Sequence, residues 1–259
     1  MSEVDLQSFY VVAHEPGAEH PALPAWAART SNPAALAENY PEEVIIRQSV
    51  DNVPGAYQLL NVLSGDECRR LIELSEGLGY LKDAAVSLPR EIRHNHSLVW
   101  VTDEATDQII WQRVAALAAQ HLETFEGKKP LGLNARFRFY RYGPGDFFKF
   151  HSDGAWPGSR VINGELVTNA YPDRFSQISF LIFLNDDFKG GATRFRVNAA
   201  DTSTPARYYN DVLEVDVRTP AGGVLCFPHG LHPLHCTHSA EPIIEGVKYI
   251  IRTDVLFEL

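Results

Sequence analysis

Residues 136–153 read RFRFYRYGPGDFFKFHSD, and this stretch decides the fold of the second half of the chain. Between Arg136 and Tyr142 the side-chain types alternate with a period of two, which is typical of a β-strand. The Gly143-Pro-Gly145 triplet has turn chemistry, and an aromatic segment follows it as far as His151. The pattern therefore predicts two strands joined by a short turn.

The same period recurs farther along the chain, around residues 177–184, 193–197, 212–218, 223–227 and 247–257. Helical periodicity precedes it at 65–78, where Ser64 and Glu67 form a capping box, and at about 104–124. Two helices followed by many short strands predict the α+β class, with a double-sheet barrel or sandwich as the β part. Residues 1–50 are rich in proline and have no sustained period, so we expect an irregular arm there.

The composition excludes several classes of protein. The chain has 259 residues, and acidic residues outnumber basic ones by 33 to 23, which argues against a nucleic-acid-binding surface. The first residues lack the pattern of a secretory signal, and apolar runs such as 180–184 are too short to span a membrane. The three cysteines, Cys68, Cys226 and Cys236, do not form a disulfide framework. We therefore expect a cytoplasmic protein with neither nucleic-acid nor membrane partners.

A metal site is the first functional hypothesis. His151 and Asp153 stand two residues apart, so on a strand both side chains project to one face and can bind one cation. A distant histidine would complete a facial triad of two histidines and one carboxylate. A lone His-x-Asp is weak evidence, and the third ligand must come from the histidine-rich segment 229–238. For three of its four histidines we expect a solvated loop.

His238 is distinguished by the segment on its C-terminal side. Pro242 and Gly246 bracket a turn, and a strand begins near Val247. Lys248, Ile250 and Arg252 share one face of that strand, while Tyr249 and Ile251 share the other. Since both faces carry apolar residues, periodicity leaves open whether the two cations point inward or outward.

Five ordered motifs resemble a known family. They are LLNVLSGDECRRLIEL, RFYRYGPGDFFKFHSDG, FLIFLNDDFKGGATRF, AGGVLCF and HSAEPIIEGVKYIIRTDVLF, and they span roughly residues 57–258. Together they resemble the prolyl-4-hydroxylase-like branch of the Fe(II)/2-oxoglutarate-dependent dioxygenases. The resemblance implies a double-stranded β-helix (a cupin-like jelly roll) flanked by N-terminal helices. It implies one domain over residues 51–259, with a helical part at 57–125 and a jelly-roll part at 131–259.

The resemblance also implies a set of site residues. His151, Asp153 and His238 would hold the iron, with His235 as the rival third ligand because the preceding loop is longer than is usual in the family. The residues implied for 2-oxoglutarate are Lys248, ten positions after His238, together with Tyr142, Ser179 and Arg252. Lys248 ranks first by its spacing, and Arg252 would share the carboxylate contact or take it over.

The implied reaction is hydroxylation of a C–H bond, with O2 consumed and with succinate and CO2 released from 2-oxoglutarate. Ascorbate is a further candidate as reductant. The substrate is unidentified: a peptidyl or free amino acid, or another small molecule. Candidate substrate contacts are Arg93, Asn95, Arg138 and Trp156, and for each arginine a surface position is an equal alternative.

Two other classes of function use the same residues. A zinc-dependent hydrolase would use the same ligands to activate water, but it leaves Lys248 and Tyr142 without roles. A catalytically silent cupin-like binding module would keep the barrel without turnover. The oligomeric state does not follow from the sequence.

Overall fold

The structure is a computed structural model that describes residues 6–83, 88–208 and 211–259. These residues form two α-helices, α1 (Gly65–Leu78) and α2 (Glu104–Ala118), and short 3-10 helices at Leu6–Ser8, Glu42–Val44 and Leu122–Phe125. The strands are β1 (Phe9–Glu15), β2 (Leu23–Ala28), β3 (Ile46–Ser49), β4 (Tyr57–Leu60), β5 (Arg93–His94), β6 (His96–Val101), β7 (Pro130–Leu133), β8 (Arg136–Tyr142), β9 (Phe147–His151), β10 (Arg160–Ile162), β11 (Glu165–Val167), β12 (Arg174–Phe183), β13 (Lys189–Gly190), β14 (Thr193–Asn198), β15 (Val212–Val217), β16 (Val224–Pro228), β17 (His238–Ala240), β18 (Ile243–Glu245) and β19 (Lys248–Glu258).

Two facing sheets form the β part. The larger sheet has ten strands in the order β1-β2-β6-β8-β19-β12-β16-β4-β3, with β7 paired to β19. The smaller sheet has five strands in the order β15-β14-β17-β9-β5. Strands β8, β12, β16 and β19 belong to the large sheet and β9, β14, β15 and β17 to the small one, while β10 pairs with β11 and β13 with β18 outside both. The chain thus crosses repeatedly between the two sheets, as in a jelly roll, and this mostly β architecture agrees with the jelly-roll core of the predicted fold.

The alternation in β8 supplies residues to two separate apolar cores. Phe137 and Phe139 pack on the helical side of the large sheet with residues of α1 and α2. Tyr140 and Tyr142 project to the opposite side, between the two sheets. The large sheet is therefore buried on both faces, and the space between the sheets holds the polar groups described below.

The helices agree with the sequence pattern at three of their four ends. The capping box predicted at α1 is present, because Ser64 accepts from the amide of Glu67 while the Glu67 carboxylate accepts from the amide of Ser64. Helix α2 ends at Ala118 rather than near residue 124, since His121 adopts a φ of 58° and leaves the helical conformation. Neither helix of the described residues has the length and apolar character of a membrane-spanning segment.

The prediction of an irregular arm over residues 1–50 is wrong for three stretches. Strand β1 pairs with β2, β2 runs parallel to β6 in the large sheet, and β3 pairs with β4 at the other end of that sheet. Alanine and proline give a segment such as LPAWAA little local strand preference. The strand forms because its neighbours in the sheet supply hydrogen-bond partners that lie far away in sequence.

Candidate metal centre

Two paired strands of the small sheet bring the predicted metal ligands together. His151 ends β9 and lies directly opposite His238, the first residue of β17. Asp153 follows two residues after the end of β9. One ligand atom from each of His151, Asp153 and His238 lies within 4.8 Å of the others, so the three side chains form one potential metal-binding group.

Backbone carbonyls orient the two imidazole rings. His151 Nδ1 lies 2.8 Å from the carbonyl oxygen of Lys149, and His238 Nδ1 lies 3.4 Å from that of Cys236. Since a carbonyl only accepts, both Nδ1 atoms carry the proton and both Nε2 atoms keep a free lone pair. The Nε2 atoms lie 3.7 and 3.6 Å from the Asp153 carboxylate. This is the orientation that second-sphere contacts impose on histidine ligands.

The electrostatics of the group favour the ligating protonation states. Desolvation by burial lowers the pKa of His238 to about 3, and it lowers the pKa of His151 as well. Burial alone would raise the pKa of Asp153, but the charge of Arg252, helped by the hydrogen bond from Ser179, outweighs burial and holds that pKa well below its usual value. Two neutral imidazoles and one carboxylate are the donor set of a divalent transition metal.

A chain of hydrogen bonds supports the Asp153 carboxylate. Ser179 donates to Asp153 Oδ2 at 2.6 Å, so its oxygen accepts from His229 Nδ1 at 2.9 Å. His229 Nε2 then accepts from Ser176, whose oxygen lies 2.9 Å away and accepts in turn from the amide of Trp156. In this series of hydrogen bonds each group has a fixed role as donor or acceptor, so the series holds Asp153 in place.

Lys248 is the most completely buried cation near the metal group. Its side chain is 1% exposed and points inward from β19, into the cavity that His151, Asp153 and His238 also line. Its ammonium donates to the carbonyl oxygen of Gly191 at 2.7 Å, and no acidic side chain of the described residues forms an ion pair with it. Desolvation lowers the pKa of Lys248 to about 7.

Tyr142 lies directly across from Lys248 in the pairing of β8 with β19. The ammonium of Lys248 is 5.7 Å from the centre of the Tyr142 ring and 5.2 Å from that of Phe183. Burial raises the pKa of Tyr142, so its hydroxyl stays protonated and can donate. The two residues thus form one cationic, proton-donating end of the cavity.

Arg252 also points inward, but it contacts acidic groups. Its Nη1 lies 3.0 Å from Asp153 Oδ1 and its Nη2 lies 3.2 Å from Asp254 Oδ1. Arg138 lies beside it and reaches Asp254 Oδ2 at 3.4 Å. The question left open by periodicity is therefore answered, because Lys248 and Arg252 both line the cavity.

None of the four candidate substrate residues lines this cavity, although two of them contact residues that do. Arg93 is buried and packs on the rings of Tyr140 and Phe148, both of which line the cavity. Asn95 accepts from Arg93 and does not line the cavity. Trp156 is 39% exposed and lies 5.7 Å from the guanidinium of Arg138. Neither arginine occupies the surface position that was the alternative.

The prediction of a solvated loop for the other histidines of segment 229–238 is wrong. His229, His232 and His235 are all buried. His229 lies in the chain that supports Asp153, the ring of His232 packs on Phe125, and His235 Nδ1 bonds to the carbonyl oxygen of Gly230. His238 belongs to the group with His151 and Asp153, whereas His235 does not.

Sequence reasoning missed two groups of the site. Asp254 is fully buried and joins Arg252 to Arg138, and Tyr140 lines the cavity between three arginines. Each of them lies on the same strand face as a residue that was predicted from the sequence. Asp254 shares a face of β19 with Lys248, and Tyr140 shares a face of β8 with Tyr142. This strand parity is the signal that would have found them.

Comparison with known proteins identifies the fold. No family model matches the chain, and no curated protein matches it. A prolyl hydroxylase from Trichoplax adhaerens, in complex with a peptide fragment of the hypoxia inducible factor oxygen degradation domain, has a TM-score of 0.52 at 16% identity over 80% of this chain and 85% of that chain. This chain has the fold of that hydroxylase.

Two more distant structures belong to the same comparison. A Pseudomonas putida prolyl-4-hydroxylase has a TM-score of 0.47 at 19% identity, over 78% of this chain and 92% of that chain. HygX from Streptomyces hygroscopicus, with nickel and 2-oxoglutarate bound, has a TM-score of 0.42 at 13% identity, over 80% of this chain and 84% of that chain. At these levels of identity the chemistry must be argued from the residues of this chain.

Proposed function

We propose that this protein is an Fe(II)- and 2-oxoglutarate-dependent oxygenase that hydroxylates a C–H bond of an amino-acid substrate, either free or in a peptide. One observation carries the proposal. A group of two imidazole Nε2 atoms and one carboxylate opens onto the same cavity as Lys248, a buried cation without an acidic partner among the described residues. Three metal-binding side chains beside a cation without an acidic partner fit the joint binding of a metal ion and an anionic co-substrate.

The metal ligands of the proposal are His151, Asp153 and His238. Their donor atoms are neutral imidazoles and an ionised carboxylate, and the carbonyl contacts at both Nδ1 atoms leave the Nε2 atoms available. Three protein ligands on one side leave coordination positions open for other molecules. Iron bound there with 2-oxoglutarate would supply the chemistry, in which O2 oxidises the C–H bond to an alcohol and 2-oxoglutarate becomes succinate and CO2.

The anchor for the far carboxylate of 2-oxoglutarate is Lys248, with the hydroxyl of Tyr142 as a second donor. A buried ammonium is unfavourable until an anion arrives, so the bound carboxylate restores the charge balance that burial removed. The surrounding rings of Tyr142, Phe183 and Phe188 keep water away from this contact.

Arg252 and Ser179 mainly hold Asp153 in place, and Lys248 rather than either of them binds 2-oxoglutarate. Arg252 forms an ion pair with Asp153 Oδ1, and Ser179 donates to Asp153 Oδ2. They keep that side chain ionised and turned towards the two histidines, as supporting hydrogen bonds do at metal sites. A cytoplasmic location accompanies the proposal, because the described cysteines are buried and unpaired.

The test is succinate release from 2-oxoglutarate by protein that has been loaded anaerobically with Fe(II) and then exposed to O2. We expect release by the wild type and its loss in Asp153→Ala. In Lys248→Met we expect the affinity for 2-oxoglutarate to fall about 10- to 100-fold, because a charge-assisted bond is removed. The affinity is measured by calorimetry with Mn(II) in place of iron.

The matched control is Lys189→Met, since Lys189 is an exposed lysine that pairs with Glu245 on the surface. Its succinate release and its affinity for 2-oxoglutarate should equal those of the wild type. Binding of neither Mn(II) nor 2-oxoglutarate by the wild type would contradict the proposed function. A zinc-dependent hydrolase would bind the metal without 2-oxoglutarate and would be indifferent to Lys248→Met.

A further inference from the structure

Arg93 is a buried cation at the edge of the metal-centre cavity. It lies on β5 opposite Phe148 of β9, and it is 7% exposed. Its guanidinium carbon is 4.3 Å from the centre of the Tyr140 ring and 5.0 Å from that of Phe148. Both rings line the cavity, so the guanidinium lies directly behind two residues of the cavity wall.

The hydrogen bonds of Arg93 are incomplete. Its Nε donates to Asn95 Oδ1 at 2.8 Å, while its buried Nη2 has no hydrogen-bond partner. No carboxylate of the described residues forms an ion pair with it, in contrast to Arg252 and Arg138, which both reach Asp254. A buried guanidinium without an anion is unfavourable, and a ligand that supplies one would be bound strongly.

The charge around Tyr140 also favours an anion. Burial would raise the pKa of Tyr140, but the positive charges of Arg93, Arg138 and Arg252 outweigh burial and lower it. The two acidic groups nearby, Asp153 and Asp254, are already engaged by Arg252. A metal dication at the proposed centre would add further positive charge, and the two carboxylates of 2-oxoglutarate would be shared between the metal and Lys248. Arg93 is then the cation still without a counter-charge.

We propose that Arg93, with the hydroxyl of Tyr140, binds a carboxylate of the primary substrate. This inference rests on the proposed function. The planar fork of a guanidinium matches the two oxygens of a carboxylate, and a phenol adds a third donor. The Tyr140 and Phe148 rings provide the apolar wall for the carbon atoms next to that carboxylate.

The position of Phe148 indicates how far the carboxylate lies from the reacting carbon. The Phe148 ring stacks on His151 with centres 3.5 Å apart, and the guanidinium carbon of Arg93 lies 5.0 Å from the centre of the same ring. The proposed carboxylate site and a metal ligand therefore contact one and the same aromatic ring. A substrate of amino-acid size, or the carboxylate-bearing end of a peptide, spans this distance.

The experiment compares acids with their neutral amides. Succinate release by the Fe(II)-loaded protein is measured with the common L-amino acids, with their N-acetyl derivatives, and with the carboxamides of both sets. We expect at least one acid to raise release about tenfold or more above its carboxamide, since a site built for a charged partner rejects a neutral analogue. Stimulation by free acids indicates a free amino acid, and stimulation by N-acetyl acids alone indicates a peptide terminus.

Variants of Arg93 test whether this residue recognises the substrate carboxylate. Arg93→Gln should reduce the acid-to-amide ratio to about one, and Arg93→Lys, which keeps the buried charge but not the planar fork, should give a ratio between those of Arg93→Gln and the wild type. Arg90→Gln removes a cation from the same segment, where Arg90 contacts His94, and should keep the wild-type ratio.

The outcomes separate this inference from the proposed function. If the wild type binds 2-oxoglutarate and releases succinate, equal effects of acids and amides overturn the carboxylate site alone. So does an unchanged ratio in both Arg93 variants, or a lack of response to every acid. If 2-oxoglutarate does not bind in calorimetry, the proposed function fails first, and the carboxylate site fails with it.

Discussion

The ammonium group of Lys248 lies in a buried environment that disfavours its charged form. Its ammonium has a carbonyl partner and three aromatic neighbours, and burial brings its pKa from an ordinary 10.5 to about 7. Tyr142, which faces it, has a raised pKa and stays neutral, and the charge of Arg218 adds to burial in lowering the pKa of Lys248. Lys248 is therefore the group whose charge changes between pH 7 and pH 9 at this end of the cavity.

The first prediction concerns the pH dependence of co-substrate binding. Because 2-oxoglutarate binds the protonated lysine, its Kd should be nearly constant below pH 7. Above pH 7 it should rise by about tenfold per pH unit, as the protonated fraction falls. Calorimetric titration at a series of pH values with Mn(II) as the metal measures this profile.

The control for this profile is Lys248→Arg, which stays protonated throughout the range and should flatten it. The ligand-free protein offers a second check on the sign. Between pH 7 and 10.5 the unfolded chain binds a proton at Lys248 that the folded chain lacks, so the free energy of unfolding should rise with pH in this window. A Kd that is equal at pH 6.5 and pH 9 would contradict the assignment of Lys248.

At the element scale, a buried ion pair connects the two helices. Glu67 is the third residue of α1 and bonds to the start of that helix through the capping box. The same carboxylate accepts from Arg113 of α2, with distances of 2.7 and 3.1 Å. Arg113 also donates to the carbonyl oxygens of Ala37 and Val62. One carboxylate thus completes a helix end and fixes the neighbouring helix.

The second prediction is a strong coupling between these two side chains. Glu67→Leu leaves the Arg113 charge buried without its partner and should lower the free energy of unfolding by about 3–5 kcal/mol. The double variant Glu67→Leu with Arg113→Met should lose about 1–3 kcal/mol less than the sum of its single variants. Urea unfolding of the four proteins measures the difference.

The matched control is the exposed pair of Asp66 and Arg69 on the same helix. Its coupling in an equivalent cycle should be below about 1 kcal/mol, because water and salt screen exposed charges. Additive effects at Glu67 and Arg113 would show that the pair does not connect the helices.

The sequence predicts those features of the two helices that depend on residues close together in the chain. Ser64 and Glu67 are three residues apart, so the capping box and the start of α1 are visible in the sequence. Arg113 lies 46 residues from Glu67, and nothing near either residue indicates the pair. The end of α2 was predicted too late because Leu122 continues the apolar stripe, although the backbone has already left the helix at His121.

At the scale of the whole molecule, residues 9–49 supply both edges of the large sheet. Strand β1 is one edge and β3 is the other, so the first part of the chain covers β6 on one side and β4 on the other. Phe9 of β1 packs edge-on against the buried Trp100 of β6 at 5.4 Å. The N-terminal segment is therefore part of the apolar core and not an appendage.

The third prediction tests this role. Phe9→Ala should lower the free energy of unfolding by about 3 kcal/mol or more, because it leaves a cavity beside Trp100. Val11→Ala on the same strand should lower it by less than about 1 kcal/mol, since Val11 is partly exposed. Thermal unfolding followed by tryptophan fluorescence measures both, and equal small effects would mean that β1 contributes little.

The candidate site shows a similar division between local and distant information. The pairing of His151 with Asp153 follows from strand parity within three residues, whereas the role of Lys248 was implied only by the family resemblance. The inward direction of Arg252 and Arg138 could not be predicted, because it depends on Asp254 and Asp153 as partners in the folded sheet. The burial of His229 likewise depends on Ser176 and Ser179 of another strand.

The central place of β19 in the large sheet has a consequence for biosynthesis. This strand lies between β8 and β12 and is translated after every other strand of the sheet. While the ribosome is still making the preceding residues, β8 and β12 have no strand to join them, and the backbone groups along their facing edges lack partners. Long-range pairing of this kind closes slowly and exposes nascent chains to aggregation. The emergence of β19 then completes the sheet and delivers Lys248 and Arg252 to the cavity in one step.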